Sequence, residues 1–213
     1  MFTGLIREVA MIIRFTNNIL TVKSEYRPKL GDSIAINGAC LTVISIAKNT
    51  FSVELSDESQ KILDVQNYTK YVHIEPAMIM NDRFEGHIVQ GHIDCIGQII
   101  SIKKNTNSTD FIIKLPQEFM RFIVSKGSIT INGISLTIND VNFQSNTFRI
   151  TIISYTLNNT LFKTYKVNHM VNIETDMFAK YILNIIQNNS YSILKQNEIS
   201  LSWTNVDRIM SNY

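Results

Sequence analysis

Two Gly-His pairs stand five residues apart in Gly86-His87-Ile88-Val89-Gln90-Gly91-His92-Ile93-Asp94, and the chain has only 4 histidines in all. An imidazole titrates near neutrality, so such a pair can take and give protons at pH 7. The alternative is a pair of structural histidines at a junction between domains. A metal centre needs a third ligand nearby, and the sequence around the pairs supplies none, so no metal is expected.

A second set of chemically capable side chains occurs in duplicate. Asn37-Gly38-Ala39-Cys40-Leu41-Thr42 is matched by Asn132-Gly133-Ile134-Ser135-Leu136-Thr137. Asn-Gly between apolar runs signals a tight hairpin, and its Gly lets the backbone turn or approach a ligand. A small polar side chain then stands at the mouth of the following strand. Strand side chains alternate, so Cys40 shares a face with Thr42, and Ser135 with Thr137. One copy alone reads as a hairpin with a buried cysteine. Two copies, one with a thiol and one with a hydroxyl, suit two pockets with distinct roles. Met1-Phe2-Thr3-Gly4 forms a third motif, because Gly4-Leu5-Ile6 aligns with Gly91-His92-Ile93 and brings Phe2 and Thr3 near the second Gly-His pair.

The elements that must position these residues are themselves repeated. Residues 33–42 and 128–137 are nearly the same sequence, about 95 positions apart. Each is followed by Asn-Thr-Phe, at Asn49 to Phe51 and Asn146 to Phe148, and each copy closes on Val-x-Ile-Glu, at Val72 to Glu75 and Val171 to Glu174. A period of that length is a whole small domain rather than a solenoid unit. In the first copy Leu5–Ile13, Leu20–Val22, Ser33–Ile36, Leu41–Ile46, Phe51–Leu55 and Tyr71–Ile74 read as strands. In the second copy Gly91–Ile102, Asp110–Leu115, Ser128–Ile131, Leu136–Val141, Phe148–Ile153 and Met170–Ile173 repeat the plan. Six short strands with brief breaks favour a closed barrel. A helical turn is expected near Ile62–Val65 and a single helix over Gln117–Val124. The expected division is 1–86, 87–176 and 177–213, a mainly β chain of two six-stranded, Greek-key-like barrels in tandem plus a C-terminal helix.

That helix is expected after Thr175 or Asp176, either of which can cap it. Met177, Phe178, Tyr181, Ile182, Ile185 and Ile186 form one apolar stripe. The stripe packs back on the barrels or against the same helix of other subunits. In the tail beyond Ser190, Trp203 is the obvious anchor. Among 213 residues, 45% are hydrophobic, 18% are charged and the net charge is +2. With no Lys/Arg block, nucleic acid is not an expected partner. Arg7-Glu8 interrupts the first apolar run, no stretch is long enough to span a membrane, and 2 cysteines make no disulfide framework. The expected compartment is the cytoplasm, with both thiols reduced.

Met-Phe-Thr-Gly, Asn-Gly-x-Cys-Leu-Thr, Gly-His-x-x-x-Gly-His and Gly-x-Ser-Leu-Thr, in this order over a doubled chain, resemble riboflavin synthase of the alpha-chain type from residue 1 to about 187. The resemblance implies a homotrimer assembled through the terminal helix. It implies a dismutation of 6,7-dimethyl-8-ribityllumazine, in which two molecules exchange a four-carbon unit. The products are riboflavin and 5-amino-6-(ribitylamino)pyrimidinedione. No metal or redox cofactor is implied, each barrel holds one lumazine, and the working site pairs the first barrel of one subunit with the second of its neighbour. Lumazine synthase is a candidate partner.

The same resemblance places His92, Cys40, Ser135, Ser33, Asp176 and Phe2 near the chemistry. His92 is expected to relay protons, and Cys40 or Ser135 to activate or mimic the nucleophile, while Asp176 doubles as a helix cap. In the first copy the implied contacts are Cys40, Leu41 and Thr42, then Glu54, Leu55, Ser56, Asp57, Glu58 and Ser59. Gly4, Leu5, Ile6, Gly91, His92 and Ile93 come from the starts of the two copies. The second copy adds Lys126, Ser135, Leu136 and Thr137, then Thr151, Ile152, Ile153, Ser154, Tyr155 and Thr156. Gln60, Tyr155, Asn132 and His73 depart from the residues usual in that family. Lumazine and yellow fluorescent proteins share the fold and bind without turnover, so a non-catalytic carrier is the rival reading.

Overall fold

Leu20 and Val22 alternate with Thr21 and Lys23 along one short strand, and both apolar side chains are fully buried. The same period-two rule recurs around both repeats in the computed structural model, which describes residues 1–197. The first barrel is built from β1 (Glu8–Thr16), β2 (Ile19–Lys23), β3 (Ser33–Ile36), β4 (Ala39–Ala47), β5 (Thr50–Glu54) and β6 (Tyr71–Pro76), closing antiparallel in the order β1-β2-β5-β4-β3-β6. The second uses β7 (Cys95–Lys104), β8 (Ser108–Lys114), β9 (Ser128–Ile131), β10 (Ile134–Asn142), β11 (Thr147–Ile153) and β12 (Met170–Thr175), in the matching order β7-β8-β11-β10-β9-β12. Register shifts fall at matching places, in β1 between Ile12 and Arg14 and in β7 between Ile99 and Ser101. Those in β4 and β10 match in the same way. Such bulges bend a strand and let a short sheet close.

Each barrel encloses its own apolar core. Ile34, Ile36, Val53, Val72 and Ile74 fill the first, and Ile99, Ile113, Ile131, Phe148 and Ile173 the second. Short helices follow corresponding strands, α1 (Asp57–Ile62) after β5 and α2 (Ser154–Asn159) after β11. Neither was expected from the sequence, because one helical turn and a half carries no apolar periodicity and buries no residue of its own. Over the stretch expected near Ile62–Val65, α1 ends at Ile62 and a 3-10 turn covers Val65–Asn67. The helix expected over Gln117–Val124 is a 3-10 segment, Gln117–Phe122.

The third helix, α3 (Met177–Asn197), follows β12. The chain divides into Met1–Met177, which holds both barrels, and a second unit beginning at Phe178. Within that unit Phe178, Tyr181, Ile182, Ile185 and Ile186 are each more than half exposed. Among the described residues no helix is long and apolar enough to cross a membrane. Trp203 lies outside the described residues.

The first strands begin later than expected, at Glu8 rather than Leu5 and at Cys95 rather than Gly91. The leaders in front of them leave their own barrels. Phe2 and Val89 pair there, with Phe2 N–H on Val89 O at 2.7 Å and Val89 N–H on Phe2 O at 3.1 Å. A buried carboxylate holds each leader: Glu75 accepts from Thr3 N, Thr3 Oγ1 and Gly4 N, and Glu174 from Gln90 N and Gly91 N. Burial pushes the Glu75 carboxyl up, and the donors from Thr3, Gly4 and Leu5 pull it back.

Across this pseudo-twofold axis the two Asn-Gly turns abut. Asn37 and Asn132 sit at φ 45° and 46°, and Gly38 and Gly133 at 86° and 84°, the left-handed pair that a primed hairpin turn requires. Asn37 Oδ1 accepts from His73 N, and Asn132 Oδ1 from Asn172 N. Each turn's carbonyl is then bound from the opposite barrel, Asn37 O by Asn172 Nδ2 and Asn132 O by His73 Nδ1. His73 Nε2 accepts the Leu161 N–H at 2.8 Å, so Nδ1 carries the proton and donates to Asn132 O.

Burial lowers the His73 imidazole to about 4 from an ordinary 6.5, against a smaller opposing pull from the Asn132 carbonyl. The two groups bonded to its ring, the Asn132 carbonyl and the Leu161 N–H, are both neutral. The unfolded chain therefore binds the extra proton first. Stability is complete above about pH 6.5 and falls as pH drops toward 4, by about 1.4 kcal/mol per unit. His73→Asn, which cannot protonate, is expected to lose about 2 kcal/mol less than the parent between pH 6.5 and 5 in urea titrations. Parallel pH profiles for the two proteins would show that His73 does not titrate on unfolding.

Candidate functional site

The crossed leaders build the site. Ser135, near the start of β10, donates its N–H to Gly4 O at 2.8 Å, and Cys40, near the start of β4, donates to Gly91 O at 2.9 Å. Each leader therefore lies along a strand of the other barrel, Gly4 on β10 and Gly91 on β4. A Cβ on Gly4 would meet Ser135 Cβ at 2.6 Å, and one on Gly91 would meet Cys40 Cβ at 2.6 Å, so only glycine permits this approach.

Beside Ser135 opens a cavity of about 370 Å³, lined by Gly4, Leu5, Ile6 and Arg7 on one side and Leu136, Tyr155, Thr156, Asn159 and Thr160 on the other. Its lining mixes backbone, hydroxyl, amide and apolar groups with the charged side chains of Arg7 and Glu8, enough polar partners to orient a flat heterocycle with a polar substituent. Tyr155 and Thr156 belong to α2. In the first barrel α1 starts at the matching place, putting Glu58 opposite Tyr155 and Ser59 opposite Thr156 in the repeat. Gly91, His92 and Ile93 occupy beside Cys40 the place that Gly4, Leu5 and Ile6 occupy beside Ser135.

At the Ser135 site an imidazole stands beside the hydroxyl. His87 Nδ1 lies 2.7 Å from Ser135 Oγ, and its Nε2 lies 3.2 Å from Thr130 Oγ1. Burial lowers the His87 pKa below its usual value, with the Asp176 carboxylate acting in the opposite direction. A neutral imidazole with Nε2–H directed at Thr130 leaves Nδ1 to accept the Ser135 hydroxyl proton. That is the arrangement of a hydroxyl beside a general base. Asp94 Oδ2 accepts from Thr175 N and Oγ1, fixing the strand end from which Asp176 emerges. Gly86 makes the approach of His87 possible, since a Cβ there would stand 2.2 Å from Thr3 O and 3.3 Å from Ser135 Oγ.

The expected site residues distribute as follows. Ser135, Gly4, Leu5, Ile6, Leu136, Tyr155 and Thr156 line one cavity. Cys40 is half-buried and meets the Gly91 leader, while His92 is exposed. Phe2 is fully buried between the leaders, packed with Ala35 and Val89 and against Cys40. Ser33 pairs with Thr42 across β3 and β4. Ser56 caps α1 by accepting Ser59 N–H, with Asp57 and Glu58 in the first turn, Glu54 exposed and Leu55 buried.

Lys126 and Thr137 are exposed, and neither lines the Ser135 cavity. Thr151 Oγ1 donates to Asp110 Oδ1, Ile152 is buried in the core and Ile153 is exposed, so this stretch of β11 also lies outside the cavity wall. Ser154 Oγ donates to Asn107 O. His87, Arg7, Asn159 and Thr160 join the site without having been singled out for it. His87 lay in the double Gly-His motif; for the other three only the leader crossing and α2 reveal the placement. Among the described residues no group of three or more His, Cys, Asp or Glu could hold a metal ion.

The sequence matches the lumazine binding domain family twice, over residues 3–77 and 90–176. The riboflavin synthase of Actinobacillus pleuropneumoniae is 42% identical over 193 residues, covering 85% of this chain and 88% of that protein. The riboflavin synthase of Bacillus subtilis (strain 168) is 38% identical over 191 residues, with 85% of this chain and 88% of that protein covered. In solved structures the fold recurs in LumP complexed with 6,7-dimethyl-8-(1'-D-ribityl) lumazine, with a TM-score of 0.71 at 18% identity over 82% of this chain and 99% of that one. With both repeats matched and these relatives 38% and 42% identical over 85% of its length, the chain belongs to the riboflavin synthase family.

Proposed function

We propose that this riboflavin synthase carries out its dismutation with Ser135 and His87 as the working pair of the second barrel, and with Cys40 and His92 at the first. Two molecules of 6,7-dimethyl-8-ribityllumazine enter. One passes a four-carbon unit to the other, giving one riboflavin and one 5-amino-6-(ribitylamino)pyrimidinedione. One lumazine must lose a proton from its C7 methyl, and the other must be attacked at C7 by a side chain or water. The observation that carries this reading is the 2.7 Å contact of His87 Nδ1 with Oγ of Ser135, a residue that lines the cavity. A base there can activate the Ser135 hydroxyl or a water held by it, and return the proton later. Orientation supplies much of the remaining acceleration, since two identical molecules held face to face reach effective molarities of about 10⁵ M or more.

The domain division that goes with this is 1–86 and 87–176 for the lumazine-binding barrels and 177–213 for an assembly segment. The exposed stripe Phe178, Tyr181, Ile182, Ile185 and Ile186 supports a homotrimer through α3. In that trimer the first barrel of one subunit faces the second barrel of its neighbour. The reading includes a cytoplasmic enzyme, with lumazine synthase as the partner that supplies its substrate. Purified protein in EDTA, given the lumazine and no other reagent, is expected to form one riboflavin per two lumazines consumed. Tight binding with no riboflavin formed would make the chain a carrier and end the catalytic reading.

A further inference from the structure

His73 and Asn172 occupy the same position of the repeat, each the third residue of its strand, in Tyr71-Val72-His73 of β6 and Met170-Val171-Asn172 of β12. Both are buried, and both reach across the pseudo-twofold axis to the turn carbonyl of the opposite barrel. Their second polar atoms do something further. Asn172 Oδ1 accepts the N–H of Asp64 at 2.9 Å, in the segment that follows α1. His73 Nε2 accepts the N–H of Leu161 at 2.8 Å, in the segment that follows α2. The wall after each barrel's pocket helix is thus fastened by the closing strand of the other barrel.

The two side chains are chemically matched for this. An amide offers one N–H donor and one oxygen acceptor, and a neutral imidazole with its proton on Nδ1 offers one donor and one acceptor as well. Leu161 directly follows Thr160, and Asn159 and Thr160 line the cavity beside Ser135. Thr160 is further held by its hydroxyl, which donates to Thr156 O in α2. The bond to Leu161 therefore fixes the end of the segment that carries Tyr155, Thr156, Asn159 and Thr160 against the cavity.

We propose that His73 is a positioning residue for the Ser135 pocket, standing in for the amide that Asn172 supplies to the Cys40 pocket and holding the post-α2 wall from the opposite barrel. The pockets are in this way coupled, each being shaped by a side chain of the barrel that does not contain it. This inference rests on the assignment of the two pockets as lumazine sites.

The test is equilibrium binding of 6,7-dimethyl-8-ribityllumazine to the full-length protein, together with steady-state riboflavin formation and the melting temperature. The parent is expected to bind two lumazines per chain. His73→Leu is expected to weaken one of the two sites at least tenfold and to raise KM more than it lowers kcat. His73→Asn is expected to restore both to within about twofold, and Asn172→Leu to weaken the other site, so that the double variant loses both. Leu161→Pro provides a second route if His73→Leu fails to fold. It removes the N–H that His73 accepts, at the first residue of a 3-10 turn behind an extended Thr160, where proline is tolerated, and Leu161→Ala, which keeps the N–H, controls for the side chain that packs against the second core. Leu161→Pro is expected to weaken the same site. Parent affinity and parent KM in His73→Leu or Leu161→Pro, with only a lower melting temperature, would reduce His73 to a packing residue. Failure of His73→Asn to restore binding would overturn the amide equivalence. A parent that binds no lumazine would overturn the pocket assignment and this inference with it.

Discussion

Replacing His87 with leucine is expected to cut riboflavin formation at least about 100-fold while both barrels stay folded, because a positioned base contributes on the order of 10² to 10⁴ in rate. His87 is only partly buried, and its two ring bonds go to the hydroxyls of Ser135 and Thr130, so its removal opens no cavity in either core. Ser135→Ala is expected to fall by a similar factor. If the two act as one unit, the double variant is no slower than the slower single, since neither residue alone retains the function of the pair. Multiplied losses in the double variant would show two independent roles. Burial keeps His87 below its ordinary pKa, so the acid limb of kcat/KM is expected below that of an ordinary imidazole. Asp176 opposes that shift, and Asp176→Asn is expected to move the limb lower still. His92 provides the contrast: if His92→Gln turns over within about twofold of the parent, no proton passes through it.

The barrels were legible in the sequence because their signal is local. Alternation of apolar residues, Asn-Gly turns and the Val-x-Ile-Glu closing strands mark each element within a few positions, and the repeat reports each element twice. The C-terminal helix was legible for the same reason, its stripe being longer than two turns. What the sequence does not carry is the exchange of leaders. Gly4-Leu5-Ile6 aligns with Gly91-His92-Ile93 whether each segment serves its own barrel or the other. The choice is made where the strands of the opposite barrel bind the leaders, Ser135 N–H on Gly4 O and Cys40 N–H on Gly91 O, while Glu75 and Glu174 tether each leader to the closing strand of its own barrel. Of the two histidines in the doubled Gly-His motif, His92 lies within the matched repeat, whereas His87 lies ahead of it. His73 differs from its repeat partner Asn172 by residue type, yet the two make the same set of bonds.

Gly133→Ala and Gly38→Ala carry the largest expected effect on the assembled pair of barrels. A Cβ on Gly38 would stand 2.7 Å from the Gly133 nitrogen, and one on Gly133 would stand 2.9 Å from the Gly38 nitrogen. Both contacts are with backbone, in turns fixed by Asn37, Asn132, His73 and Asn172, so neither neighbour can move aside without breaking those bonds. Gly31→Ala isolates the conformational part of the cost, because Gly31 has nearly the same backbone angle, φ 84°, with nothing within 4 Å of the added carbon. That substitution is expected to cost about 1–2 kcal/mol, the penalty for an L residue in the left-handed region. It should leave riboflavin formation unchanged. At Gly38 or Gly133 the barrels must also separate, adding about 2 kcal/mol or more from the lost interbarrel bonds. Separation draws each leader off the strand it crosses, so turnover should fall as well, through Ser135 and Cys40 together. Urea titrations and assays on all three variants decide the matter. Equal destabilisation across the three would mean that the turns do not press on one another, and that the leaders alone hold the barrels in register.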